Sequence, residues 1–167
     1  FLAAAGLALS LAACVEDRPR STRTTGHVEV DGTGAIALRA GHDTYRVRTR
    51  SLARGGERVD TGVVEQVVPA GEGFEQSWLF EARPAGSGDL VAHVAVDDLQ
   101  YVGLAECGAR YRSVETNRGL CYGRATWVDA AGRRTAVPWS IDATGVKMRV
   151  SSELLESSAY PARLDPI

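Results

Sequence analysis

The most reactive side chains in the chain are three thiols, and their settings differ. Cys14 closes the apolar run FLAAAGLALSLAA at residues 1–13 and directly follows Leu11, Ala12 and Ala13. Small residues before a cysteine let a peptidase approach the peptide bond, and a thiol at a membrane interface is a nucleophile able to take a thioether-linked diacylglycerol. Cys107 and Cys121 stand far downstream. With Cys14 modified they form an even pair that can close a disulfide in an oxidising compartment. Such a loop is worth about 3 kcal/mol of stability by chain entropy. The alternative is two buried thiols.

The remaining candidates for chemistry are sparse. His27, His42 and His93 lie outside metal-ligand spacing of one another, and there is no His-Glu-x-x-His, paired Cys-x-x-Cys or Gly-x-Ser-x-Gly. No metal or cofactor is expected. His93 alternates with residues of a central strand and reads as a structural histidine, and His42 reads as a turn residue. Asp97-Asp98, after a strand, could bind calcium with a backbone carbonyl, although no Asp-x-Asp-x-Asp-Gly loop accompanies it. Glu75 with Glu81, or Glu65 with Glu75, could serve as glycosidase acid and base, which requires carboxyl groups about 5 to 9.5 Å apart. Solvent-facing strand glutamates are the simpler reading. Trp127 and Trp139 are the candidate sugar-stacking platform, while Trp78 belongs to the core.

Leu11-Ala12-Ala13-Cys14 resembles a lipobox, the cleavage and acylation motif of bacterial lipoproteins. That resemblance implies cleavage before Cys14 and acylation of its thiol. More than one acyl chain, at about 0.8 kcal/mol per buried CH₂, holds a protein stably on a membrane. Residues 1–13 then read as a lipoprotein signal peptide whose start is missing, since the one methionine is Met148. An ordinary cleaved signal peptide and an uncleaved transmembrane helix are the competing readings. The apolar stretch is shorter than the ~20 residues of a span, and Glu16, Asp17 and Arg18 stop it abruptly. Residues 14–26 read as a flexible, lipid-anchored tether with an r.m.s. reach of about 20 Å. The expected address is the cell envelope, at the outer membrane or cell surface.

The elements that must position these residues are strands. A chain of 167 residues, 44% hydrophobic, suffices for one domain, placed at 27–167. Its formal net charge of -2 gives no footprint for nucleic acid. Period-two alternation recurs, and no apolar stripe of helical period persists for three turns after residue 26. Strands are predicted at 27–30, 34–40, 43–51, 63–68, 74–82, 90–96, 122–128, 135–141 and 146–151. In 74–82, Phe74, Gln76, Trp78, Phe80 and Ala82 share one face, and Glu75, Ser77 and Glu81 the other. Residues 90–96 are apolar on both faces and read as central. Asp129-x-x-Gly132 and Asp142-x-x-Gly145 fit type I turns with glycine in the left-handed position. The fold expected is an antiparallel β-sandwich, jelly-roll-like, of about ten short strands.

Tyr122-Gly123, Trp127, Asp129, Gly132-Arg133, Tyr160-Pro161 and Asp165-Pro166, with Phe74–Ser77, Glu81 and Arg83–Gly86 earlier, resemble the amino-terminal domain of exported proteins with FG-GAP (integrin-α-like) or similar β-propeller repeats. The likeness spans residues 60–167, and the Cys107/Cys121 pair departs from it. It implies a β-sandwich preceding a repeat region absent from this sequence, with Asp165-Pro166 as its exit. The implied role is a non-catalytic, membrane-anchored scaffold or adhesion-type module. The alternative is a stand-alone module binding a surface glycan or protein, and a hydrolase is the third reading.

Overall fold

The computed structural model describes residues 14–15, 27–32, 34–40, 42–71 and 73–166. Among them are sixteen strands and one helix. In chain order the strands begin β1 (Cys14–Val15), β2 (His27–Val30), β3 (Ile36–Ala40), β4 (Asp43–Arg54), β5 (Glu57–Arg58), β6 (Val63–Ala70), β7 (Gly73–Phe80) and β8 (Leu90–Asp97). They continue with β9 (Gln100–Ala105), β10 (Gly108–Arg112), β11 (Gly119–Tyr122), β12 (Ala125–Val128), β13 (Arg134–Val137), β14 (Trp139–Asp142) and β15 (Gly145–Val150). The helix α1 (Ser152–Ser157) then precedes β16 (Ala162–Pro166). The signal-peptide reading of residues 1–13, and residues 16–26 of the predicted tether, lie outside the described residues.

Every strand pair described is antiparallel. A seven-stranded sheet runs β14-β15-β8-β4-β3-β2 with β5 on β4, a five-stranded sheet runs β13-β12-β16-β7-β6, and a four-stranded sheet runs β1-β11-β10-β9. The result is a sandwich-like all-β fold. β8 is central, as its apolar faces predict, between β15 and β4. Its Leu90, Ala92 and Val94 are fully buried, and Ile36, Leu38, Tyr45, Val47, Val146 and Met148 of the same sheet join them in one core with Phe74, Trp78, Phe80, Trp127 and Leu164 of the five-stranded sheet. Burying a side chain of that size contributes roughly 1.5–3 kcal/mol.

Two predicted strands are each two strands in different sheets. The stretch 122–128 breaks at Gly123-Arg124, so that Tyr122 ends β11 in the four-stranded sheet while β12 starts the next strand of the five-stranded sheet. The stretch 135–141 breaks at Pro138, where β13 leaves the five-stranded sheet and β14 enters the seven-stranded one. Proline cannot donate to a ladder, and it stands where the ladders change hands. The four-stranded sheet is the layer that periodicity left unassigned, because β9 and β10 carry glycines at 103 and 108 and interleaved arginines.

In β4, Tyr45 and Val47 point into the core. The register against β8 shifts between Thr49 and Ser51, so that Leu52 and Arg54 become the inward residues. A bulge inserts one residue and reverses the parity beyond it. This is why a guanidinium is buried. Arg54 donates from Nε to the Gly88 carbonyl at 3.1 Å and from a terminal nitrogen to the Pro84 carbonyl, and lies 3.8 Å from Glu156 of α1. Beside it Gly55, at φ +57°, approaches the Ser87 carbonyl so closely that a Cβ would sit 2.1 Å from the oxygen.

Helix α1, at 6 residues, is too short to carry an apolar stripe of helical period over three turns. Ser151 caps it, its Oγ accepting from the Leu154 N–H at 3.2 Å, and Asp89 accepts from Ser152 N at 2.9 Å. Asp165-Pro166 closes β16, the last strand described. β16 lies inside the five-stranded sheet between β12 and β7, with Pro166 opposite Ala125 and Leu164 opposite Trp78. Strand β7 ends at Phe80, so Ala82 is exposed rather than part of its inner face, and Ser77 is 7% exposed although it lies on the outer one.

Cys107, in the β9–β10 turn, is disulfide-bonded to Cys121 of β11, with Cα atoms 6.1 Å apart. The loop it closes has a sequence separation of 14. Replacing both cysteines by serine is expected to cost about 3 kcal/mol. For a domain of this size that lowers the melting temperature by roughly 6–12 °C in thermal unfolding followed by circular dichroism, against no change on replacing the exposed Val114 by serine.

Candidate functional site

The candidate residues do not converge. Trp127 is 0% exposed and cannot present a face to a sugar. Its ring packs 5.3 Å from Phe80 and 6.4 Å from Tyr160, and its indole N–H donates to Ser158 Oγ at 2.8 Å. Trp139 is half-buried and packed against the core from edge strand β14. The platform expected of Trp127 and Trp139 is therefore absent, because residues opposite Met148 and Leu164 face inward. Trp78, at 1% exposure, is core as expected.

The carboxylates separate for reasons of strand geometry. Glu65 stands opposite Trp78, on the inner face, whereas Glu75 stands opposite Val68 on the outer one. A sheet lies between them. Glu75 and Glu81 are six positions apart on one extended stretch, which spans about 20 Å at ~3.3 Å per residue, beyond glycosidase spacing. Asp97 accepts from Arg48 Nε at 2.9 Å and Asp98 from Arg46 at 3.5 Å, so each of these carboxylates faces an arginine. No group of three His, Cys, Asp or Glu side chains that could hold a metal occurs among the described residues.

His93 lies on the outer face of the seven-stranded sheet, opposite Ser51 and Lys147, with Nε2 3.1 Å from Thr144 Oγ1. Partial burial and then the Lys147 ammonium hold its pKa below the ordinary histidine value. His42 is exposed in the β3–β4 turn, as expected.

Among the described residues, shallow cavities open on the surface at two places. One of about 300 Å³ lies between β13 and α1, lined by Val137, Pro138, Arg149 and Leu154 among others. The other, of about 250 Å³, lies on the outer face of the five-stranded sheet, where Leu79 and Val128 floor it and Arg134, Arg163 and Asp165 stand at its walls. Burial raises the pKa of Asp165, Arg163 and Arg134 pull it back, and Glu75 adds to the rise. The sequence gives no sign of the concavity, which arises only where β12, β16 and β7 lie side by side.

The strongest polar constellation is one that no motif announces. Buried Tyr122 donates from its hydroxyl to Gln76 Oε1 at 2.7 Å. Gln76 Nε2 donates to Glu65 Oε1 at 2.6 Å and to Thr49 Oγ1 at 3.1 Å, and Thr49 Oγ1 donates to the same Glu65 oxygen at 2.8 Å. Burial, and then the Glu65 charge, keep the Tyr122 phenol well above its ordinary pKa and therefore a donor. The chain runs from the interior to a carboxylate at the surface, neither of the two cavities is lined by its residues, and it reads as structural.

No protein-family model matches the chain, and no similar protein was found among curated proteins or among solved structures. The likeness to FG-GAP-repeat proteins therefore rests on the quoted residues alone.

Two outcomes follow from this geometry. Replacing Gln76 by leucine leaves the Tyr122 hydroxyl buried and unbonded, at a cost of about 1–3 kcal/mol by urea denaturation, and pairing it with Tyr122→Phe recovers part of that loss. For Asp165 the folded pKa is raised, so the native state binds more protons than the unfolded chain just above the ordinary aspartate value of 3.8, and stability falls as pH rises through that window. Asp165→Asn should accordingly raise the melting temperature at pH 7 and converge with the wild type below pH 3.8, read from melting curves across pH.

Proposed function

We propose that the chain is an exported bacterial lipoprotein, anchored to the cell envelope through acylated Cys14, whose β-sandwich serves as a non-catalytic scaffold or adhesion-type module. The observation that carries this reading is Leu11-Ala12-Ala13-Cys14, an apolar run ending in two small residues and a cysteine, followed at once by Glu16-Asp17-Arg18. The Cys107–Cys121 disulfide supports it twice. It is the chemistry of an oxidising compartment, and it leaves Cys14 as the cysteine available for modification. The scatter of histidines and carboxylates over separate faces supports a role in presentation rather than in chemistry.

The finer part of the proposal is that the domain presents or caps a following repeat region, in the manner of FG-GAP-repeat proteins. Its support is the set of turn and strand residues from Phe74 to Pro166 that resemble that family's amino-terminal domain. The corresponding gene would encode repeats beyond Ile167, and a stop codon there overturns this part alone.

The anchor is tested by growing cells with an alkynyl fatty acid and tagging the recovered protein. Label on the wild type, its complete loss in Cys14→Ala, and a mature first residue at Cys14 by mass spectrometry are the expected results. Recovery of the protein with residues 1–13 attached and an unmodified Cys14 thiol overturns it.

A further inference from the structure

The cavity on the outer face of the five-stranded sheet is built around one row of directly opposed residues. Arg134 of β13 stands opposite Val128 of β12, Val128 opposite Arg163 of β16, and Arg163 opposite Leu79 of β7. Residues directly opposite one another in an antiparallel ladder share a face, so both arginines lie on the same side with Val128 between them. Two interstrand spacings put their Cα atoms about 10 Å apart, near enough for two long side chains to meet over a group seated on Val128. Asp165 lies on the same face, two residues beyond Arg163 and opposite Thr126, roughly 7 Å along the strand.

The fold leaves the charges of this cavity unspent. Arg48, Arg133 and Arg149 each face a carboxylate, at 2.9, 3.0 and 3.2 Å. Among the described residues, neither Arg134 nor Arg163 makes an ion pair or a side-chain hydrogen bond. The other acidic group of the cavity, Asp129, is taken: it accepts from Ala131 N at 3.0 Å and Arg133 N at 2.9 Å, and pairs with the Arg133 guanidinium. The Asp165 carboxyl has no donor among the described residues, and burial raises its pKa against the pull of Arg163 and Arg134. A few convergent polar groups around an apolar floor are the usual make-up of a ligand site.

The chemistry of the occupant follows from these groups. Two guanidiniums flanking one spot suit a planar carboxylate, which accepts paired N–H bonds. Asp165 then requires a hydrogen-bonding group elsewhere on the same ligand. An ammonium brings three donors to this one carboxyl and suits only its ionised form, whereas a hydroxyl both donates and accepts and satisfies either form. Half-buried Leu79 and Val128 offer aliphatic surface to C–H groups. The volume of about 250 Å³ lies below the roughly 300–1,000 Å³ of pockets for drug-sized ligands, which suits a single ring. A carboxylate with hydroxyls across a small saturated ring is a sugar acid.

We propose that this cavity binds a uronic acid residue of an acidic saccharide, with its carboxylate between Arg134 and Arg163, a hydroxyl on Asp165 and its ring over Val128 and Leu79. The proposal rests on the adhesion-type reading, which it deepens by naming the partner, and it is independent of the anchor at Cys14.

The test titrates the isotope-labelled full chain with D-glucuronate and follows backbone amide shifts by two-dimensional NMR. Saturable shifts are expected at residues 126–129 and 161–165, with none from the uncharged methyl ester of glucuronate. An Arg134→Gln, Arg163→Gln chain is expected to bind at least ~10-fold more weakly while remaining folded by circular dichroism. The absence of saturable shifts with glucuronate overturns the proposal and leaves the acylation of Cys14 untouched. Acetate acting at the same amides with equal affinity overturns it in favour of a bare anion contact, and tighter binding of alanylalanine overturns it in favour of a zwitterionic peptide. If the double variant is unfolded, the ester decides, since binding of the ester equal to that of glucuronate overturns the role of the arginines.

Discussion

The arrangement of the three sheets depends on a single side chain with three hydrogen bonds. Gln76 of β7 accepts from Tyr122 of β11 and donates to Thr49 of β4 and to Glu65 of β6, so one amide ties the four-stranded, seven-stranded and five-stranded sheets together. Apolar packing is indifferent to small sliding of one layer over another, whereas an amide with both donors and its acceptor engaged is not. Its net contribution to stability is modest, about 1 kcal/mol per bond, but each alternative register leaves a buried polar group unsatisfied. The network selects one packing from several that the apolar residues would permit.

The same constraint explains how much of the fold was legible. Alternation at 74–80 and at 90–96 identified β7 and β8, the strands at the heart of their sheets, because burial of a strand face is a local pattern of period two. The Asp129 and Asp142 turns were equally local. Gly132 takes φ +79° with its N–H bonded to the Asp129 carbonyl at 2.9 Å, and Asp142 Oδ1 accepts from Thr144 N at 2.8 Å. What alternation cannot reveal is a change of sheet. Residues 119–128 and 134–142 each continue in extended conformation through a corner, so the period survives while the partner strands change. The place of β16 between β12 and β7 is a long-range pairing of the same kind.

The candidate site was less legible than the fold, for a related reason. Whether a tryptophan is a sugar platform or core depends on which sheet covers it, and Trp127 lies under Phe80, Tyr160 and Leu164, none of them near it in sequence. Parity separates Glu65 from Glu75, but only once β6 and β7 are aligned opposite one another. Arg54 reads as a surface charge until the bulge after Thr49 reverses the strand and turns it toward the Gly88 and Pro84 carbonyls.

A strand that begins at Cys14 changes what a tether can mean. A random coil of the length of residues 14–26 would let a domain wander about 20 Å from the bilayer. Yet Cys14 and Val15 pair with Cys121 and Leu120, which places residue 14 on the domain itself, opposite one half of the cystine. A lipid attached there transmits force directly into the four-stranded sheet. The covalent link between Cys107 and Cys121 then has a mechanical consequence beyond stability. It joins the β9–β10 turn to the strand that holds β1, so load applied at β1 is shared by β9, β10 and β11 rather than peeling β11 from its neighbour.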